Sequence, residues 1–407
     1  MSKGWRVAVR LNRTGIESIQ CIMLMLASIT GCRSDRSLNP GQALHAAVLD
    51  TLVTIQHNGL HRVGSVRLTP DYVAVANEGT LQVLLFERES EAVQVIGGRG
   101  RGPGEHQALT DIFLRGDSLY ILDALARRIV LFIDGELAET WFIRGALGIP
   151  QRVFVRDAGQ IAVAFADAAS DEPRAGAVVV RDRIIFRVGR PLASEIEWTD
   201  LLDVPGRERL LMNTIGGTLH ALPAFWTTTS YDIDRGGITA VDGRTGLLER
   251  WTWSGAVEPL PAPPRFGPDY VTDQEMAAVR DGIETVARRR PDIEYRQYAE
   301  AALDVWGARP PRPFYEGLMS DGRTIALREY EYGETNPEAW ILLGSAGQLR
   351  ARMLLPDNLR LVSLAGDSII AVARDSLDVE SIIVMRFEVA VDSVLAAAVQ
   401  PTFAIPK

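Results

Sequence analysis

Two stretches of the chain, "VAVANEGTLQVLLF" (residues 73–86) and "LYILDALARRIVLF" (residues 119–132), superimpose with a shift of 46 residues. The shift sets Asn77 on Asp123, Gln82 on Arg128, Val83 on Ile129 and Phe86 on Phe132. Each copy is two short apolar runs, rich in β-branched residues, separated by turn-forming residues. Asp134-Gly135, a strong hairpin signal, closes the second copy.

A unit of several strands that recurs every 40–50 residues is the signature of a propeller blade. Weaker copies follow at similar spacing over residues 153–189, 225–253, 316–355 and 359–389. Their turns fall at Asp157–Gly159, Asp242-Gly243 with Thr245-Gly246, Asp321-Gly322 with Gly344–Gly347, and Gly366-Asp367. The count is six, so the expected fold is an all-β, six-bladed β-propeller over residues 45–395. An open ring leaves unpaired strand edges. Closure is therefore expected from "HAAVLDTLVTI" and "RVGSVRL" completing the sheet supplied by the C-terminal end.

One segment departs from the β pattern. Residues 267–310 are bounded by prolines and hold a capping box, Thr272-x-x-Glu275. Met276, Val279, Ile283 and Val286 recur at helical spacing, and Pro291 interrupts. Tyr295, Tyr298, Ala302 and Trp306 form a second apolar stripe. The spacing predicts an inserted helical hairpin, which serves as a brace outside the ring or as a lid over one mouth of its channel.

At 407 residues and 47 % hydrophobic composition the chain buries a sizeable core. Its net charge is −9, and because Lys3, Arg6, Arg10 and Arg13 outweigh Glu17 by three at the N-terminus, residues 33–407 carry −12. An acidic body argues against nucleic-acid binding, which relies on neutralised phosphates. The N-terminus reads as an export signal over residues 1–32, with a basic start and the apolar run "CIMLMLASIT", too short to span a bilayer. It ends in Ile29-Thr30-Gly31-Cys32, which resembles the lipobox of bacterial lipoproteins. That resemblance implies cleavage before Cys32, lipidation of its thiol, a polar tether over residues 33–44 and a membrane partner. Arg33 after the cysteine resembles the sorting signal for the outer membrane, facing the periplasm.

The connector "GGRGRGPGEH" (residues 97–106) has neither the spacing nor the following Lys-Ser or Lys-Thr of a phosphate loop. It is expected to turn the chain between blades, its glycines taking positive φ where Cβ is disfavoured. "YILDALARRIVLFIDGE" resembles the repeat of NHL-type six-bladed β-propellers: Asp123, Arg128, Ile129, Phe132, Asp134 and Gly135 fit, and Ala126 stands where that repeat has Asn. The connector in turn resembles a Gly-x-Gly-x-Gly-Pro-Gly-Glu stretch of bacterial exported six-bladed propellers. Arg99, Arg101, Asp123 and Arg128 are accordingly the candidate ligand-binding residues.

Catalytic equipment is sparse. Of five histidines only His57 and His61 lie close together, in a strand–turn–strand context without a third metal ligand. No Gly-x-Ser-x-Gly elbow occurs, no catalytic residue is nominated, and no cofactor or metal is expected. These readings describe a lipid-anchored binding or protein-interaction module of the cell envelope, with a protein or small molecule as ligand. The alternative is a hydrolase or lyase with a divalent cation in the channel, a reading drawn from resemblance to propeller lactonases and lyases. Asn77, Glu78, Asp111 and Asp123 would supply its oxygens. Convergence of three such oxygens near the ring axis would favour the enzyme, and an apolar plug would exclude it.

Overall fold

The computed structural model describes residues 8–10 and 47–389, apart from 89, 91, 146–147, 157–158, 168–176, 215–216, 267, 290–292, 306–309 and 332–337. Cys32, the lipobox and the tether lie outside the described residues. Strand β1 (Ala8–Arg10) pairs antiparallel with β2 (Ala47–Gln56).

Six four-stranded blades follow in chain order. Blade 1 is β3 (Val63–Leu68), β4 (Tyr72–Asn77), β5 (Gln82–Glu87) and β6 (Val93–Gly97). Blade 2 is β7 (Asp111–Arg115), β8 (Ser118–Asp123), β9 (Arg128–Ile133) and β10 (Glu136–Phe142). Blade 3 is β11 (Ile149–Val155), β12 (Ile161–Asp167) and two long strands, β13 (Ala177–Leu192) and β14 (Glu195–Thr214), with β15 (Gly217–Ala221) paired to the end of β14. Blade 4 is β16 (Thr229–Asp234), β17 (Gly237–Asp242), β18 (Leu248–Thr252) and β19 (Val257–Pro259). Helices α1 (Asp273–Arg289) and α2 (Ile293–Asp304) intervene. Blade 5 is β20 (Tyr315–Ser320), β21 (Thr324–Glu329), β22 (Ala339–Gly344) and β23 (Leu349–Leu354). Blade 6 is β24 (Leu359–Ala365), β25 (Ser368–Arg374) and β26 (Glu380–Val389), completed on its outside by β2.

The first strand of each blade is innermost, and β3, β7, β11, β16, β20 and β24 neighbour one another in a closed circuit around the axis. Among the described residues closure rests on β2, paired with β26 from Ala47 opposite Val389 to Gln56 opposite Ser381 with a register shift between Thr51 and Val53. The expected second closing strand, "RVGSVRL", is instead the inner strand of blade 1. A ring closed by one outer strand leaves the next segment free to start a blade of its own.

The two stretches that revealed the repeat are the middle strands of blades 1 and 2. A middle strand is packed against a neighbouring blade on each face, so its run is apolar at every position rather than at alternate ones. Val73 and Val75 face Val372, Ile382 and Val384 of blade 6, while Ala74 and Ala76 face Ile112, Ile121 and Val130 of blade 2. Fully burying each Val, Leu or Ile contributes about 1.5–3 kcal/mol. The hairpin at Asp134-Gly135 has positive φ at both residues, 50° and 80°, the geometry of a tight primed turn.

The helical insertion has a small core of its own. Phe225, Val271 and Val279 are buried together, with Met276, Ile283, Leu303 and Tyr330 packed around them. The capping box forms: Glu275 N–H donates to Thr272 Oγ1 at 3.2 Å, and Thr272 N–H donates to Glu275 Oε2 at 2.8 Å. Val286 is 39 % exposed, so the apolar stripe ends before it. Of the second stripe Ala302 is buried, and the side chains of Tyr295, Tyr298 and Trp306 lie outside the described residues.

Candidate functional site

The connector predicted to lie between blades does so, joining β6 to β7, and it is wrapped around one histidine. His106 N–H donates to Gly98 O at 2.6 Å and Gly100 N–H donates to His106 O at 3.0 Å. Positive φ falls at Gly97 (74°) and Gly104 (73°). A Cβ on Gly97 would stand 2.4 Å from His106 Nε2. The imidazole is 0 % exposed, lies edge-on to Phe132, and has no hydrogen-bond partner on either nitrogen. Burial lowers its pKa to about 4, the nearby Asp123 charge opposing the shift and Arg128 adding to it.

Asp123 and Arg128 are spent on holding this connector. The Asp123 carboxylate accepts from Gln107, Ala108 and Ala126 N–H at 2.9, 3.0 and 3.0 Å. Arg128 is 7 % exposed, donates to Glu105 O, and lies 3.6 Å from Asp123. Arg99 and Arg101 are exposed on the same loop. The four residues therefore do not share one ligand-facing surface.

The oxygen donors considered for a cation do not converge either. Asn77 accepts from His61 N–H at 2.9 Å and donates to Gly59 O at 2.6 Å, so its amide braces the turn after β2. Glu78 lies against Gly64. Asp111 alone faces the axis, and it staples blades: Arg67 donates to it at 2.8 Å from blade 1, and Val153 N–H at 3.0 Å from blade 3. Among the described residues no group of three or more His, Cys, Asp or Glu side chains is arranged to hold a metal ion. These four side chains do not fit the divalent cation of the hydrolase or lyase reading.

Carboxylates close other seams of the ring in the same way. Asp232 accepts from Ser320 N–H at 3.0 Å between blades 4 and 5, and Glu380 accepts from Val63 N–H at 2.7 Å between blades 6 and 1. Between blades 5 and 6, Asp321 accepts from Gly366 N–H. The seam between blades 3 and 4 carries instead Arg152 and Asp232, 3.9 Å apart.

At that seam the channel opens into a cavity of about 630 Å³. Inner strands of four blades line it: Gln151 and Arg152 of β11, Ser230 and Tyr231 of β16, Gly317 and Met319 of β20, and Arg360 of β24. The volume suits a small organic ligand. The Tyr231 hydroxyl is buried without a hydrogen-bond partner, and burial raises its pKa. Burial also raises the pKa of the Asp232 carboxyl, against the pull of Arg152 and Arg67. Desolvation alone would lower the pKa of Arg152, but Asp232, Asp111 and Tyr231 reverse this, and the guanidinium stays charged. Gly317 makes room for an arginine from the next strand: a Cβ there would press on Arg328 Cβ at 3.1 Å. Leu318, Met319 and Leu361 share the lining with these polar groups, so the cavity's walls are mixed.

Sequence reasoning missed this site because its members are single residues on different blades, far apart in the chain. The signal available is a charge inside a mostly apolar inner strand, as in "IPQRVFV" and "LRLVSLA".

Six blades of antiparallel strands around a closed axis define a six-bladed β-propeller. Residues 32–139 match the model of a family described as "6-bladed beta-propeller". No curated protein matches the sequence. Among solved structures, the chain is similar to a protein of Bacteroides fragilis described as exported, at 10 % identity and TM-score 0.49, over 84 % of this chain and 95 % of that one. It is also similar to virginiamycin B lyase from Staphylococcus aureus, at 10 % identity and TM-score 0.44, over 84 % and 99 % of the two chains. A gluconolactonase from Xanthomonas campestris is similar at 12 % identity and TM-score 0.36, over 84 % and 90 %.

Proposed function

We propose that the protein is an exported, lipid-anchored binding propeller of the bacterial cell envelope, tethered through Cys32, and that it holds a small molecule in the channel cavity. The observation that carries the binding reading is the cavity itself: walled by inner strands of four blades, of mixed polar and apolar lining, and lined by Tyr231, whose buried hydroxyl has no partner. A buried polar group left unpaired costs about 1–3 kcal/mol, and a ligand that accepts its hydrogen bond recovers that cost. Rigid strands position contact groups before the ligand arrives, so little ordering entropy opposes binding. The lipobox resemblance supports the anchor, and the acidic body supports a ligand other than nucleic acid.

The test uses protein lacking residues 1–32, screened by thermal shift against small metabolites, beside a Met319→Trp variant that fills the channel. Metabolites that raise the wild-type Tm and lose their effect in the filled variant support channel binding. Metabolites that stabilise both proteins equally, or none that stabilises the wild type, overturn it.

A further inference from the structure

The cavity's charge is opposite to that of the chain around it. Arg152, Arg183, Arg207, Arg209, Arg328 and Arg360 line it, against the two carboxylates of Asp167 and Asp182, in a protein of net charge −9. Most of these cations are already answered. Asp182 takes Arg209 at 2.5 Å and lies 3.9 Å from Arg207. Arg183 pairs with Asp203, and Arg328 lies 3.1 Å from Glu316 and 3.0 Å from Glu338.

Two are answered less fully, Arg152 by the charges of Asp232 and Asp111 without a hydrogen bond among the described residues and Arg360 by a backbone carbonyl. Arg152 has Asp232 at 3.9 Å and no hydrogen bond among the described residues, and it keeps 30 % of its side-chain exposure. Arg360 is exposed, donates to the carbonyl of Val63, and has no carboxylate partner among the described residues. Arg152 sits on blade 3 and Arg360 on blade 6, which are three blades apart in a ring of six and so face each other across the axis. The unpartnered Tyr231 hydroxyl, a third donor, stands on blade 4 between them in the circuit.

Resting on the channel-binding reading above, we infer that the ligand of this cavity is a small organic anion, bearing carboxylate or phosphate oxygens, held between Arg152 and Arg360 with Tyr231 as a further donor. Guanidinium groups present paired N–H donors matched to both kinds of oxyanion. Two of them on opposite walls favour an anion with more than one charged oxygen group. A neutral ligand would leave Arg360 with only the Val63 carbonyl and Arg152 with only the neighbouring Asp232 and Asp111 charges, so an anion gains more from the site than a neutral molecule of the same shape.

The test titrates citrate, inorganic phosphate and glucose into protein lacking residues 1–32 by calorimetry at low salt. It is repeated with Arg152→Gln, Arg360→Gln and, as a control away from the channel, the exposed Arg386→Gln. Circular dichroism checks folding, and the exposed position of Arg360 keeps the test valid if Arg152→Gln misfolds. Saturable binding of citrate or phosphate, weakened at least tenfold by Arg360→Gln and by added salt but not by Arg386→Gln, is the expected result. Citrate alone binding marks a polycarboxylate site, and phosphate alone marks a phosphate site. Anions that bind no tighter than glucose, or as tightly to the channel arginine variants as to wild type, overturn the inference. A neutral metabolite lost only on filling the channel would overturn the anion inference while leaving channel binding intact.

Discussion

His106 gives the sharpest quantitative handle on the fold. In the native ring it is fully buried, neutral and unpartnered, with its pKa lowered to about 4 from an ordinary value of 6.5. The unfolded chain therefore takes up the proton first as pH falls. Stability from this residue is intact above about pH 6.5, declines between 6.5 and 4, and levels off below 4. At 1.36 kcal/mol per pH unit the total loss is about 3 kcal/mol, a sizeable part of the 5–15 kcal/mol typical of a domain. Other groups titrate in the same window, and His57 is also lowered by burial, so the wild-type profile alone does not isolate His106. A His106→Leu variant does, since leucine has a similar volume and no polar nitrogens. Denaturant midpoints at pH 7, 6, 5 and 4, converted with a common m-value, should show wild type losing about 3 kcal/mol more than the variant by pH 4. At pH 7 the variant should be near wild type in stability or above it, because both unpaired nitrogens are gone. Parallel profiles would mean that the imidazole is solvated or hydrogen-bonded in the native state and that the connector does not seal it.

The same connector predicts a contrast between adjacent glycines. Gly97→Ala should destabilise by roughly 1–3 kcal/mol, because φ is +74° and the new Cβ meets His106 and Gly104 O, whereas Gly98→Ala, with nothing within 4 Å, should stay within about 0.5 kcal/mol in the same unfolding assay. Cys32→Ser should leave the precursor uncut and unlipidated, read as a higher apparent mass and loss of detergent partitioning; a variant still cut and still lipid-associated refutes the anchor. Asp123→Ala removes the acceptor for three backbone N–H groups, two where the connector enters β7 and one in the β8–β9 turn, and should cost about 2–4 kcal/mol by denaturant unfolding, at roughly 1 kcal/mol or more for each bond to a charged group.

The ring was legible because its blades repeat a local rule. Two middle strands and the turn between them, such as residues 73–86, carry the whole pattern within fourteen residues. The helical hairpin was legible for the same reason, through the Thr272–Glu275 box and the 3.6-residue spacing that follows it. Blade 3 was not. Its long β13–β14 ribbon and the short β15 extend past the blade, and no turn signal marks where a strand outgrows its neighbours. The positive φ angles of the connector fall on Gly97 and Gly104, its first and last glycines, rather than on the middle ones. That distribution is set by the burial of His106, a tertiary fact. The repeat also drew attention to Asp123 and Arg128, because residues that recur between blades are those that build blades. The cavity's lining is made from what differs between them.

That difference has a physical cause in how the seams are stapled. Where a carboxylate accepts an N–H from the inner strand of the next blade, as Asp111 of β7 does from Val153 and Glu380 of β26 from Val63, the two blades are drawn together at that point. Between blades 3 and 4 the acceptor Asp232 is turned to Ser320 on the far side, and Arg152 stands in the gap. The opening is further propped from outside. Arg244 of blade 4 lies on Glu208 of β14 with two contacts, at 3.1 and 2.7 Å, and also donates to Phe225 O. Phe225 is clamped in the core of the helical insertion, and its neighbour Trp226 lines the cavity. The insertion thus packs at the cavity's rim, and a change in how α1 and α2 pack would reach the cavity wall through two consecutive residues.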